Sequence, residues 1–153
     1  LSMGRPVLFV QTRAGRHGDL FSLYKFRTMT DARDKDGELL PDNVRLTGFG
    51  KFLRKTSLDE LPQIFNILKG DMSLVGPRPQ LPSEMKENLP HANRRYRVMP
   101  GLTGLWQVSG RAALSYEEMI ELDLYYIENW SIGLDLQILF RTLSVVVRPI
   151  GAY

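Results

Sequence analysis

Asp59 and Glu60 stand side by side in Arg54-Lys55-Thr56-Ser57-Leu58-Asp59-Glu60-Leu61-Pro62-Gln63, after two cations and before a proline. Two readings fit them. Acids in the first turn of a helix favour its macrodipole by about 0.3–1 kcal/mol. Ser57 with Glu60 three residues later is a capping-box pattern, and Pro62 is tolerated near a helix start. The same positive helix end attracts phosphate. An aspartate held at low pKa there is an oxygen nucleophile toward phosphorus, and a neighbouring glutamate can hold a hard divalent cation. The local residues favour neither reading.

Arg78 tips the balance toward chemistry. In Gly76-Pro77-Arg78-Pro79 one proline has its φ fixed and the next pushes Arg78 toward an extended backbone. A guanidinium on such a stiff support suits bidentate recognition of phosphate. A second segment, Pro100 to Arg111, sets Gln107, Ser109 and Arg111 among glycines that let backbone approach a ligand closely. It lacks the Gly-Lys-Ser/Thr ending of a P-loop. Lys25 and Arg27 alternate in Tyr24-Lys25-Phe26-Arg27-Thr28-Met29 and so share one face of a strand. His17 and His91 lie in turn-like contexts without metal-ligand spacing and read as surface residues. With no cysteine and no paired histidine, any metal is oxygen-bound, hence Mg²⁺ or Mn²⁺.

Residues 7–11 and 21–28 read as strands of a hairpin joined by a turn-rich segment. Residues 30–43 form a polar surface excursion. A short helix is expected within 44–56, then one opened by Ser57 and stopped by Gly70. The Gly/Pro-rich stretches 72–82 and 99–111 read as loops lining a site, with a helix over 83–95 between them. A second capping box, Ser115 with Glu118, opens a helix over 116–129. Another covers 134–148, with Leu136, Leu139, Phe140, Leu143 and Val147 on one face and Pro149 as its stop. One α+β domain over 1–153 is the simplest account: a small β-hairpin with several helices and Gly/Pro-rich site loops.

The 153 residues are 43% hydrophobic and 24% charged, enough for a cored globular domain and unlike a disordered chain. The absence of cysteine excludes a disulfide scaffold and thiolate chemistry. No stretch approaches the roughly 20 apolar residues needed to span a bilayer. Net charge is +3 over residues 1–60, +4 over 61–115 and −4 over the remainder. The basic two thirds suggest an anionic partner. Nucleic acid is the rival partner, given Arg94-Arg95-Tyr96-Arg97, but no DNA- or RNA-binding motif accompanies those residues.

Four segments in order, 24–29, 54–79, 100–111 and the terminal Gly151-Ala152-Tyr153, resemble the bacterial sugar transferase family, the monotopic phosphoglycosyl transferases. The resemblance covers nearly the whole chain. It implies transfer of a sugar 1-phosphate from a UDP-sugar to a polyprenol (undecaprenyl) phosphate, with UMP released, as the first membrane step of exopolysaccharide, O-antigen or glycan assembly. It makes Asp59 the nucleophile that carries a covalent phosphosugar, and Glu60 the Mg²⁺ ligand. Arg54 matches the arginine that meets polyprenol phosphate, and Arg78 that of a Pro-Arg-Pro motif. Lys25 and Arg27 take a phosphate-binding role, with Gln107 and Arg111 as further substrate-binding candidates. Family members carry a hydrophobic re-entrant helix ahead of the first strand, so this chain is expected to be a catalytic portion without that anchor. The resemblance places the protein at the cytoplasmic face of the bacterial plasma membrane, with no nucleic acid partner. A homo-oligomer is compatible with the sequence. Tyr125, Tyr126, Trp130 and the amphipathic helix 134–148 are candidates for a bilayer interface, and the basic segments for anionic headgroups.

Overall fold

The computed structural model describes residues 3–86, 91–110 and 113–147. The expected hairpin is present: β1 (Leu8–Ala14) pairs antiparallel with β2 (Leu20–Phe26). Its register sets Phe9 opposite Lys25, Gln11 opposite Leu23 and Arg13 opposite Phe21. Residues directly opposite point to the same side, and side chains alternate along each strand. Gln11, Arg13, Leu23 and Lys25 therefore share one face of the hairpin. Leu23 is buried there, at 2% exposure, so this face meets the rest of the molecule.

The excursion after β2 is closed by a bridge between Arg33 and Leu39 and leads into a short helix, α1 (Asp42–Arg45). Helix α2 (Gly48–Lys55) follows, capped by Thr47, whose Oγ1 accepts the Gly50 amide at 2.9 Å. Gly50 is required by contact: a Cβ there would stand 1.9 Å from the Thr28 carbonyl oxygen. After a 3₁₀ segment, Leu58–Gln63, comes α3 (Ile64–Lys69), which ends on Gly70 in the left-handed conformation as expected. Asn66 of α3 is fully buried. It accepts the Tyr24 amide and donates to the Ser22 carbonyl, so one side chain satisfies backbone groups of β2 that a further strand would otherwise take.

The two Gly/Pro-rich stretches are not plain loops. Each contains a three-residue strand, β3 (Ser73–Val75) and β4 (Gly101–Thr103), and the two pair in parallel. Their glycines serve this contact, since a Cβ on Gly101 would come 2.1 Å from the Gly76 nitrogen. Parallel strands need a long crossover. Here it includes α4 (Pro82–Lys86) and a 3₁₀ turn at Ala92–Arg97, in place of the single helix expected over 83–95.

Beyond β4, α5 (Leu105–Ser109), α6 (Tyr116–Glu128) and α7 (Ile132–Val147) build the C-terminal core. The Ser115–Glu118 capping box forms, with both reciprocal hydrogen bonds. Val75, Leu105, Tyr126 and Ile138 cluster at the centre, flanked by Leu122, Leu134 and Leu139. Burying a side chain such as Ile138 contributes about 1.5–3 kcal/mol. One expectation for this region is corrected. Tyr126 is core, 4% exposed, with its hydroxyl donating to Asp135 at 2.8 Å, so it cannot sit at a bilayer; Tyr125 and Trp130 are exposed. On α7, Leu136, Phe140 and Leu143 form an exposed apolar face, as their spacing suggests, while Leu139 packs inward with Leu134 and Ile138. The Val147 side chain lies outside the described residues. No described helix is long and apolar enough to cross a membrane.

Candidate active site

The site begins with a reversal of the chain at the end of α2. Thr56 is still helical, but Ser57 takes φ 55° and ψ 17°, the left-handed region that a non-glycine residue adopts at a cost of roughly 1–2 kcal/mol. Its side chain makes no capping bond, so the Ser57–Glu60 capping box expected from the pattern does not form. Glu60 is instead captured by cations. The segment it opens is a 3₁₀ helix, in which residues three apart eclipse. Asp59 lies over Pro62 and Glu60 over Gln63; Asp59, Pro62 and Gln63 are buried, while Leu61 faces outward. The tight winding thus turns both carboxylates inward, toward the face of β2 that carries Lys25.

Lys25 Nζ lies 2.8 Å from Glu60 Oε1, and an Arg78 terminal nitrogen lies 3.5 Å from the same oxygen. Burial alone would raise the Glu60 pKa. The charges of Arg78 and Lys25, with their hydrogen bonds, outweigh it and hold the carboxyl below its usual range. Asp59 behaves oppositely. Burial, reinforced by the adjacent Glu60 charge, pushes it above the usual carboxylate value, against the pull of Lys25 and Arg54. Desolvation is the largest influence on Asp59, which is 9% exposed, so its surroundings favour the neutral carboxyl over the low pKa that would suit a nucleophile.

These opposite shifts predict opposite effects on stability. A raised folded-state pKa means that ionising Asp59 costs stability as pH rises. A lowered one means that Glu60 contributes stability at neutral pH, lost as pH falls through its folded value. At neutral pH, Asp59→Asn is expected to melt above the wild type. Glu60→Gln, which strands Lys25 and Arg78, is expected to lose about 1.5–3 kcal/mol. Thermal melts over a pH series check this: the gap between the variants should shrink as pH falls through the carboxylate range.

A shallow, solvent-open cleft lies against Glu60, lined in part by Arg13, Lys25, Glu60, Gln63 and Arg78. Of the expected residues, Lys25, Glu60 and Arg78 line this cleft, while Asp59, next to Glu60 in the chain, is buried behind it and is not part of the lining. Arg54 joins through its charge on Asp59, with its Nε donating to Thr28 Oγ1 at 3.0 Å. Arg27 is turned elsewhere, donating to Asp31 at 2.5 Å and to the Pro6 carbonyl at 2.9 Å. Gln107 sits on α5 with its Oε1 against Gly104. Arg111 lies outside the described residues, as does the terminal 151–153 motif.

Arg13 is the cleft residue that sequence reasoning missed. Its guanidinium donates to Gln11 Oε1 and to the Pro79 carbonyl, leaving it beside Arg78. Burial, then the Arg78 charge, lower its pKa. The signal was available in strand alternation, which puts Arg13 and Gln11 on the face of Lys25 once the hairpin register is known.

The model of the family described as bacterial sugar transferase matches residues 1–149. The uncharacterized sugar transferase EpsL of Bacillus subtilis is 54% identical over 151 residues, covering 99% of this chain and 75% of that protein. The undecaprenyl-phosphate galactose phosphotransferase of Salmonella typhimurium is 44% identical over 98% of this chain, and the UDP-glucose:undecaprenyl-phosphate glucose-1-phosphate transferase of Klebsiella pneumoniae is 45% identical over 90% of it. The chain spans only 35% and 32% of the lengths of the latter two. A match running through both strand pairs and the carboxylate cluster places this chain in the bacterial sugar transferase family.

Proposed function

We propose that this chain is the catalytic part of a phosphoglycosyl transferase that moves a sugar 1-phosphate from a UDP-sugar to undecaprenyl phosphate. The observation that carries the reading is the adjacent pair Asp59 and Glu60: Asp59 is buried within the charge field of Lys25 and Arg54, and Glu60 pairs with Lys25 and Arg78 and lines a cleft that a further arginine also lines. Glu60 has one oxygen, Oε1, paired with two cations, which keep it ionised as a fixed charge. Asp59 has no ion pair within bonding distance among the described residues. That division suits one carboxylate for holding and the other for attack.

In the first displacement a carboxylate oxygen of Asp59 bonds to the sugar-bearing phosphorus, and the bond from that phosphorus to the bridging oxygen breaks. UMP leaves with the electron pair. In the second, an oxygen of the polyprenol phosphate attacks the same phosphorus and returns the Asp59 carboxylate, leaving a diphosphate-linked lipid sugar. Arg78 and Arg13 face the charges that the donor brings into the cleft, and Arg54 stands on the Asp59 side to meet the acceptor phosphate. Two displacements on one aspartate give ping-pong kinetics.

The carboxylate pair would suit Mg²⁺. Among the described residues no three His, Cys, Asp or Glu side chains gather as a metal cage. Mg²⁺ ordinarily takes one or two carboxylates and completes its shell with waters and substrate phosphates. Glu60, with Asp59 beside it, would hold it, and the bound ion would neutralise diphosphate charge.

The acceptor is a membrane lipid, so the reaction belongs at the cytoplasmic face of the plasma membrane. Exposed apolar side chains beside the site support this: Phe49 and Phe52, stacked at 6.2 Å, project from α2, and Phe65 and Leu68 from α3. Within the basic run that suggested nucleic acid, Arg95 is buried in an ion pair with Asp123 and Arg94 is paired with Glu128, which weakens that alternative. The test is UMP release from a panel of UDP-sugars in lipid bilayers containing undecaprenyl phosphate. One donor should give UMP and lipid-linked sugar in equal amounts; acceptor-independent hydrolysis, or no release with any donor, would contradict the reading.

A further inference from the structure

Pro77 and Pro79 supply no backbone donors on either side of Arg78, so the Pro-Arg-Pro segment must be held through its carbonyls. Four in succession are gripped. The Pro77 carbonyl accepts the Gly101 amide at 2.9 Å, the Pro79 carbonyl accepts Arg13 at 3.1 Å, and the Gln80 carbonyl accepts the Ala14 amide at 2.9 Å. The Arg78 carbonyl itself accepts Arg95 Nη2 at 3.2 Å. That same nitrogen is ion-paired with Asp123 of α6. Arg95 is 6% exposed and Asp123 1% exposed, and they come from the crossover and from the C-terminal core.

A buried ion pair is weak evidence for stability, because apolar residues of similar volume often replace one at no cost. What apolar residues cannot do is hold a carbonyl. We propose that Arg95 and Asp123 are positioning residues for Arg78, fixing the backbone from which its guanidinium reaches Glu60 and the cleft. This rests on the reading of Arg78 as a ligand for substrate phosphate. Asp123 orients the Arg95 fork and supplies its counter-charge, and Arg95 carries that order to the Arg78 carbonyl. The C-terminal core, which places no residue in the cleft lining described above, thereby sets the aim of a cleft residue.

The test is a double-mutant cycle with the pair Arg95→Met/Asp123→Leu, which keeps the volume buried and removes the hold. In the wild-type background, sugar-phosphate transfer should fall about ten- to a hundredfold, the scale expected for small misplacements. In an Arg78→Ala background the same pair should cost nothing further, because its effect runs through a guanidinium already absent. Equal losses in both backgrounds, or no loss in the first, would overturn the proposal. Should the apolar pair not fold, Arg95→Lys keeps a charge for Asp123 while giving up the fork that also reaches the carbonyl, and the same cycle applies. Hydrogen exchange at the Gly76 and Gly101 amides, which bond to the Thr103 and Pro77 carbonyls, reads the hold without substrate. It should quicken in either variant while the β1–β2 hairpin is unchanged, and no change would sink the idea. If the wild type exchanges slowly there but transfers nothing, the assignment of function has failed and the hold on Arg78 has not.

Discussion

Asp59→Asn is expected to abolish transfer, by on the order of 10⁴-fold or more in kcat, as loss of a nucleophile does elsewhere. The amide is nearly isosteric but offers no anionic oxygen to phosphorus. Because ionised Asp59 is destabilised by burial and by Glu60, the inactive variant should be at least as stable at neutral pH as the active protein. Few core-directed substitutions separate activity from stability in that direction. The same shift fixes the pH dependence: the acid limb of kcat/KM should lie above the ordinary aspartate value, since the carboxyl must ionise to attack. Lys25 pulls the Asp59 pKa down, so Lys25→Met should move the limb to higher pH. A limb at the ordinary value, unmoved by Lys25, would mean that another group limits the reaction.

Arg78→Ala is expected to cost about 10²–10³ in kcat/KM, the scale for removing one preorganised donor from developing charge. Arg78 has two tasks. It partners Glu60 at 3.5 Å and it lines the cleft, so its loss both weakens charge neutralisation and leaves Glu60 to Lys25 alone. Arg78→Lys should recover only part of the rate, because a point charge lacks the planar fork that meets a phosphate at two oxygens. Steady-state UMP release over a range of donor concentrations measures both variants. Full recovery by lysine would show that Arg78 supplies charge without directional bonding.

Much of the site was legible because its chemistry is local in sequence. Asp59 and Glu60 are adjacent, and Lys25 could be placed on a strand face by alternation alone. The hairpin, the Gly70 stop and the Ser115 capping box also follow from short-range rules that the structure obeys. Ser57 shows where such rules fail. Its spacing to Glu60 fits a capping box, but an ion pair to a strand 35 residues away takes the glutamate and the serine turns left-handed. Strands β3 and β4 escaped notice because three residues carry no periodicity; only their mutual pairing makes them strands. Arg95 read as part of a surface basic cluster, since nothing local reveals that Asp123, 28 residues on, will bury it. Arg13 was hidden in a turn-rich segment until the register was known. In each case a contact distant in sequence outweighs a local preference.

In the proposed reaction Asp59 becomes covalently attached to the phosphosugar. This step is tested most directly by intact-mass measurement after incubation with Mg²⁺ and the UDP-sugar that supports UMP release, with the acceptor lipid left out. A mass increase equal to one sugar phosphate is expected on the wild-type chain and none on Asp59→Asn, with the adduct lost when undecaprenyl phosphate is added. Turnover with the lipid but no adduct in its absence, or an adduct that persists in Asp59→Asn, would contradict the proposed step.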